Sequence, residues 1–376
     1  MTPAQNAWEH LAKSPKSRWA AEEEPALAPV SVEHKPSFSF DKSASIFCVG
    51  SCFARNIEEH LATRGIEPLS RRVFVPRSEW ENRPSGLLNK FTIKSALNEL
   101  KWVLEPFDVG PDFFEVSSKG VRDLQLAPPQ KLVDIDRAIA RRNEFTTKYF
   151  RQLLEADIII FTLGLNEVWH DNHTNFSLNA APSRSAVSAD PSRYHFYTPR
   201  VTECVDDLCE FYDALKAARK KPFHFVVTVS PVPLNATATG EDIRIANTIS
   251  KSTLRVAANE LIALRPDCIY FPSYEMITGA RKDLAFAQDE RHVKNSVVRD
   301  VVGKFIADYF GDLPILVPED FSEFAYLQAN PDIDDAVRKG EMISGIQHFI
   351  HHGKNENRRT VPEEPVTALI NAGALE

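Results

Sequence analysis

The sequence lacks the features that mark several large functional classes. It has no surplus of positive charge: 44 Lys and Arg stand against 52 Asp and Glu, the net charge is −8, and no long basic cluster interrupts the chain. A nucleic-acid footprint is therefore not expected. No apolar run approaches the ~20 residues a spanning helix needs, so no membrane span is expected. The opening stretch, MTPAQNAWEHLAKSPKSRW, has no apolar core and does not read as a secretory signal. Cysteine is scarce: Cys48, Cys52, Cys204, Cys209 and Cys268 make an odd set of five with no CxxC pair. That argues against a disulfide scaffold and a zinc site, and for reduced thiols in the cytoplasm. No repeat of fixed period is present.

What is there is an ordinary globular composition, 43% hydrophobic and 26% charged, over 376 residues. That length suits one large domain with an appendage, or two domains. Residues 1–40 are rich in Ala, Pro, Glu and Lys without sustained periodicity, and read as an extended or partly disordered arm. From residue 41 to about 312, short apolar strands alternate with amphipathic helices. IFCV (46–49), ADIIIFTLG (156–164), FHFVVTVSP (223–231) and DCIYFPS (267–273) read as strands. Helices are expected from Cys52 to Gly65, over 92–104, 134–155, 202–218 and 243–264, and over 293–310. A small hairpin is expected within 112–126. This alternation predicts an α/β fold: a three-layer, doubly wound parallel sheet covered by helices on both faces. Residues 313–362 read as a small helical module and 363–376 as a tail.

Such sheets place ligands beyond the carboxyl ends of their strands. Two of the chemistry-bearing segments fall there, and a third precedes the last helix of the sheet domain. Gly50-Ser51-Cys52 follows the first strand and opens a helix, whose N-terminus carries about half a positive charge. A thiolate is stabilised at such a position, whereas a serine hydroxyl is the better cap. Cys52 is thus the candidate nucleophile and Ser51 the candidate cap, the alternative being a capped helix with a small buried cysteine. Gly164-Leu165-Asn166-Glu167 follows another strand. Asn166 is a candidate oxyanion donor, with an Asx turn as the alternative, and Glu167 a candidate support for the loop. Asp289 and His292, spaced three apart, suit an imidazole oriented by a carboxylate, with the other ring nitrogen free to act as base.

Other features carry less. His170 and His173 have metal-like spacing, but no further ligand cluster accompanies them, and no metal or cofactor is expected. Lys251 and Arg255, spaced i, i+4 in SKSTLR, are candidates for binding an anionic substrate group, or simply a solvated helix face. The histidines of HFIHH (348–352) read as helix surface.

The stretch VGSCFARNI resembles the signature of the GSCFA family, within the SGNH/GDSL hydrolase superfamily. IIIFTLGLNEVW (158–169), VVTVSPVPL (226–234), NTISKSTLR (247–255) and YFPSYEMI (270–277) extend the resemblance over about residues 44–310. It implies that Cys52 stands where the superfamily has its nucleophilic serine. Gly50 and Ser51 then flank it, Gly164 and Asn166 match the oxyanion block, and Asp289 and His292 match the acid–histidine block. The superfamily's second, glycine-bearing block has no clear counterpart, and Gly86 and Asn89 are its candidates. Family members often carry Pro after the histidine, where this chain has Val293. Residues 326–359 resemble a small helical repeat found in assorted bacterial proteins, with no chemistry attached. The implied function is an acyl-ester hydrolase of the esterase or deacetylase kind, with a Cys52–His292–Asp289 site acting on an acylated carbohydrate or other small ester. An O-acyltransferase using a donor such as acyl-CoA, and a binding or scaffold protein on a degenerate hydrolase fold, are the alternatives.

Overall fold

The computed structural model describes residues 3–13, 17, 27–73, 79, 84–105 and 107–362. The expected tail and part of the expected N-terminal arm lie outside the described residues. The strands are β1 (Ile46–Gly50), β2 (Glu115–Ser117), β3 (Gly120–Arg122), β4 (Ile158–Leu163) and β5 (Val168–Asp171). They continue with β6 (Phe176–Leu178), β7 (Tyr194–Tyr197), β8 (His224–Val229) and β9 (Cys268–Tyr270). The helices before β8 are α1 (Ala4–Lys13), α2 (Cys52–Ala62), α3 (Ile93–Leu104), α4 (Ile135–Glu144), α5 (Arg184–Ala189) and α6 (Val201–Ala218). After it come α7 (Ile243–Leu264), α8 (Ser273–Thr278), α9 (Lys282–Ala285), α10 (Asn295–Phe310), α11 (Glu323–Ala329), α12 (Pro331–Lys339) and α13 (Gly345–His348).

The central sheet is parallel with order β1-β4-β8-β9. Every residue of β1 and β4 is buried, as unbroken apolar strands require when helices cover both faces. On one face α3, α6 and α7 supply Leu97, Leu100, Leu208, Phe211, Leu254 and Leu261. On the other, α2 and α10 supply Phe53, Ile57, Leu61, Val298, Val301 and Phe305. Each such side chain contributes about 1.5–3 kcal/mol when fully buried. After α2 the chain passes along the side of β1 away from β4, where the Ser70 hydroxyl accepts the Cys48 N–H at 2.9 Å. That bond occupies a donor on the outer edge of β1, which would otherwise invite strand pairing. The winding then reverses toward β4, β8 and β9. The β1/β4 boundary is therefore the point where the two directions part, the usual place for a site in such folds.

Several expectations meet local differences. Residues 27–44 do run along the α8/α10 face, with the Val30 N–H on Met276 O at 2.8 Å and the Phe40 N–H on Tyr309 O at 2.7 Å. Ala4–Lys13, however, is a helix with Trp8 exposed. The hairpin is β2–β3. The long helix ends at Glu144 and continues as a π turn (Phe145–Tyr149) and a 3-10 turn (Phe150–Leu154). A second, antiparallel sheet, β6-β5-β7, follows the end of β4 and has no counterpart in the sequence reading. Its strands are short and mix His, Asp and Ser with aromatics, so no clean period-2 signal survives.

Helices α11–α13 gather around Tyr326, Ile333 and Phe349. His348 is buried with them, its Nδ1 paired with the Tyr326 hydroxyl at 2.7 Å, and so is not the surface residue expected. This group joins the segment after α2 through ionic contacts. Arg71 donates to Glu67 at 2.7 Å and to Glu323 at 2.5 Å, and Ser344 Oγ donates to Glu67 at 3.1 Å. No helix among the described residues is long and apolar enough to cross a membrane.

Candidate active site

The first turn is built around Gly50, which has a φ of +137°. A Cβ there would lie 1.9 Å from Thr162 Oγ1 and 2.3 Å from Thr162 O, so only glycine lets β1 end this close to β4. Ser51 takes the N-cap position in an extended conformation, yet its side chain accepts no bond from the helix. The expected cap is not made: Ser51 Oγ is buried and, among the described residues, without a partner. Cys52 is the first residue of α2, partly exposed, and its thiol has no hydrogen-bonding partner among the described residues. The first amides of a helix have no intrahelical acceptor and face whatever sits at its end.

A strap of chain, Asn89–Phe91, ties this turn to the one after β4. The Lys90 N–H donates to Gly50 O at 2.8 Å, and the Leu165 N–H to Phe91 O at 2.9 Å. Asn179 holds the strap by donating to Asn89 O and accepting from the Phe91 N–H, both at 2.9 Å. The Lys90 ammonium is buried with Glu99, and Arg142 donates to the same carboxylate at 2.9 Å. Asn89 therefore contributes its backbone, while its side-chain oxygen is buried and has no partner among the described residues. Gly164 is also obligatory, since a Cβ would sit 2.7 Å from Phe91 O.

Asn166 is not aimed as the motif led us to expect. It is buried, its Nδ2 donates to Pro199 O at 3.3 Å, and its backbone N–H donates to Ser250 Oγ at 3.1 Å. Glu167 holds a loop, though a different one from that expected: it accepts from Thr237 Oγ1 at 2.6 Å and from the Ala238 N–H at 3.1 Å. Lys251 and Arg255 do not act together. Lys251 is 2% exposed, and its Nζ donates to Gly164 O at 2.6 Å. Burial pulls its ammonium down to about 7, while the neighbouring Cys52 acts in the opposite direction. Arg255 instead donates to Glu275 at 2.6 Å and lies over the Tyr270 ring at 3.9 Å, clamping α7 to β9 and α8.

Asp289 and His292 lie in one turn before α10. Asp289 Oδ1 accepts the N–H groups of Arg291 and His292, each at 3.0 Å, and Oδ2 faces His292 Nδ1. Partial desolvation works to raise the Asp289 carboxyl, but these N–H groups and the imidazole outweigh it and bring it down to about 2. Val293, in place of proline, does not loosen the loop: the Ala287 N–H bonds His292 O at 2.7 Å and the Lys294 N–H bonds Ala285 O at 2.9 Å. His292 is a quarter exposed, and among the described residues nothing bonds its Nε2. No hydrogen bond joins Cys52 and His292. His170 lies in β5, and His173 pairs with Asp190 at 3.3 Å. The residues missed from sequence are Thr162, Asn179 and Ser250, which act by contact across the chain and leave no local signal.

The GSCFA family model matches residues 45–305. No curated protein matches the chain. Among solved structures, a carbohydrate esterase family 3 protein from Talaromyces cellulolyticus is 11% identical, with 70% of this chain and 94% of that chain covered and a TM-score of 0.32. A family 3 carbohydrate esterase of Clostridium thermocellum is 10% identical, over 70% and 96%, with a TM-score of 0.25. LAE5, an alpha/beta hydrolase enzyme from the metagenome of Lake Arreo, Spain, is 12% identical, over 72% and 96%, with a TM-score of 0.28.

Proposed function

The chain belongs to the GSCFA family, and from that premise we propose that it is an acyl-ester hydrolase with Cys52 as nucleophile, His292 as acid–base and Asp289 as the group that orients it. The observation that carries this reading is the position of Cys52: partly exposed, at the first residue of α2, two residues after a glycine locked against Thr162 at the carboxyl end of the sheet. Sγ, its proton passed to His292, attacks the acyl carbonyl carbon, and the π electrons move to oxygen. The N–H of Cys52 at the helix terminus is the first oxyanion donor. Asn166, once its amide leaves Pro199, is the second; one such donor is worth ~10²–10³ in rate. Collapse breaks the acyl C–O bond, and the alkoxide takes a proton from His292. Water then attacks the thioester, giving a proton to His292, and the acid leaves as the thiolate is restored. Substrate closes the gap between Sγ and Nε2, as catalytic hydrogen bonds often tighten only in the complex. An acylated carbohydrate or other small acyl ester is the substrate class.

The test is hydrolysis of p-nitrophenyl acetate and of acetylated xylan, with quenched samples examined by peptide mass spectrometry for an acyl group on Cys52. Cys52→Ala is expected to lose activity by ~10³ or more, and Ser51→Ala to keep it within a few-fold. Undiminished turnover by Cys52→Ala would refute the assignment.

A further inference from the structure

A cavity of about 310 Å³ lies beside the outer edge of β1, at the lower end of the ~300–1,000 Å³ typical of small-molecule sites. It shares no residue with the crevice at Cys52. The local fold accounts for it. After α4 the chain runs on as the π turn Phe145–Tyr149, and such turns within helices frequently mark functional sites. Arg137, Glu144 and Lys148 line the cavity from this stretch, and Phe145 and Tyr149 give it a buried aromatic wall. Arg72 and Val73, just after the 3-10 turn Leu69–Arg71, close the other side. Tyr149 is fixed from behind: its hydroxyl accepts from Arg55 at 3.2 Å and donates to Ser70 O at 3.1 Å, and its ring packs on Phe47.

The charges around this cavity do not cancel. Arg137 reaches Glu144 through two bonds, at 3.1 and 3.0 Å, and shares Glu79 with Arg141. Arg71, next in sequence, is taken by Glu67 and Glu323. Arg72 and Lys148 are left without a carboxylate among the described residues. The Nε of Arg72 is also buried, and no atom of the described residues accepts its hydrogen, a state that calls for a partner. Two unmatched cations on one concave wall concentrate positive potential there. We propose that the cavity binds a phosphate monoester of a small organic molecule, the phosphate between Arg72 and Lys148 and the organic body against Phe145 and Val73. Such an ester carries about −1.5 to −2 at pH 7, which matches the two cations, whereas a carboxylate carries a single charge. The guanidinium fork suits phosphate oxygens in pairs, and the ammonium serves as a point charge. The aromatic wall lets an organic body leave water. None of this depends on the reading of Cys52.

The test is isothermal titration calorimetry on the full-length protein, at neutral pH and low ionic strength, with phenyl phosphate, inorganic phosphate and benzoate as probes. Phenyl phosphate is expected to bind with a Kd of about 1 mM or below. Inorganic phosphate and benzoate should each bind at least ~10-fold more weakly, since each lacks one half of the fit. Arg72→Gln and Lys148→Gln should each weaken phenyl phosphate by ~10-fold, and Cys52→Ala should leave its Kd unchanged. Lys148 is exposed, so its variant decides the matter should Arg72→Gln not fold. Benzoate binding as tightly as phenyl phosphate would overturn the dianion, and inorganic phosphate doing so would overturn the organic body. A Kd that moves with Cys52→Ala but not with the two charge variants would put the ester in the catalytic crevice and overturn the site. No saturable heat at ten times the expected Kd would overturn the proposal outright.

Discussion

Gly50→Ala is the sharpest test of how the crevice is built. The new methyl would sit 1.9 Å from Thr162 Oγ1, 2.3 Å from Thr162 O and 3.0 Å from Thr162 Cβ. One of those atoms is backbone of the adjacent strand, so no rotamer change removes the clash. A non-glycine residue in that backbone region costs of order 1–3 kcal/mol. Forcing a methyl into close-packed surroundings costs about as much again, so the total is about 2–6 kcal/mol. For a chain of 376 residues that corresponds to a melting temperature lower by roughly 3–8 °C. The assay is a thermal melt by circular dichroism together with the alkylation rate of Cys52, which should change as α2 is pushed off the end of β1. The double variant Gly50→Ala/Thr162→Ala should recover less than half of the loss, because the carbonyl oxygen remains. A single variant melting within 2 °C of wild type, with unchanged labelling, would show that the close approach does not set the position of Cys52.

Other expectations follow from the same contacts. Ser51→Ala should move stability by less than about 0.5 kcal/mol, against the ~1 kcal/mol lost with a working N-cap; a chemical-denaturation midpoint decides between them. Asp289→Asn should lower turnover by ~10²–10⁴ through the wrong imidazole tautomer. The Asp289 carboxyl is depressed to about 2, so its contribution is present above ~4, the unfolded value, and is lost as pH falls toward 2. Stability of the asparagine variant should therefore vary less with pH over that window, as read from acid-unfolding curves. Arg71→Ala leaves Glu67 and Glu323 without their cation, which for a largely buried pair costs about 3–5 kcal/mol. Limited proteolysis should then cut between α10 and α11 faster than in wild type.

Most of the scaffold was legible because β1, β4 and β8 are predominantly apolar, and few other arrangements can bury such strands. Gly50 and Gly164 could be located by motif, but their reason, contact with Thr162 and Phe91, is tertiary. The pattern of α7 misleads. Ile245, Ile249 and Val256 are about half exposed, while Ser250 and Lys251 are buried against the turn after β4. Reading the apolar stripe as the inner face turns that part of the helix the wrong way and leaves Lys251 in solvent. The same limit applies to Asn166, whose identity is local but whose partner, Pro199, belongs to the stretch between β7 and α6. Ser51 has the right residue type for a cap and the right backbone, and only the bond from its side chain to the helix is missing.

The strap between the two turns also bears on how the crevice could be varied. Phe91 serves it through its N–H and its carbonyl, and those atoms are the same in every residue except proline. Its partly exposed side chain is not needed for that purpose. A library randomised at Phe91 should therefore keep both turns intact while changing the shape beside them. Asn179, whose own side chain makes the bonds, should tolerate almost no replacement. Divergence toward new substrates has its least costly opening at a position that supports the site without lending it any side-chain chemistry.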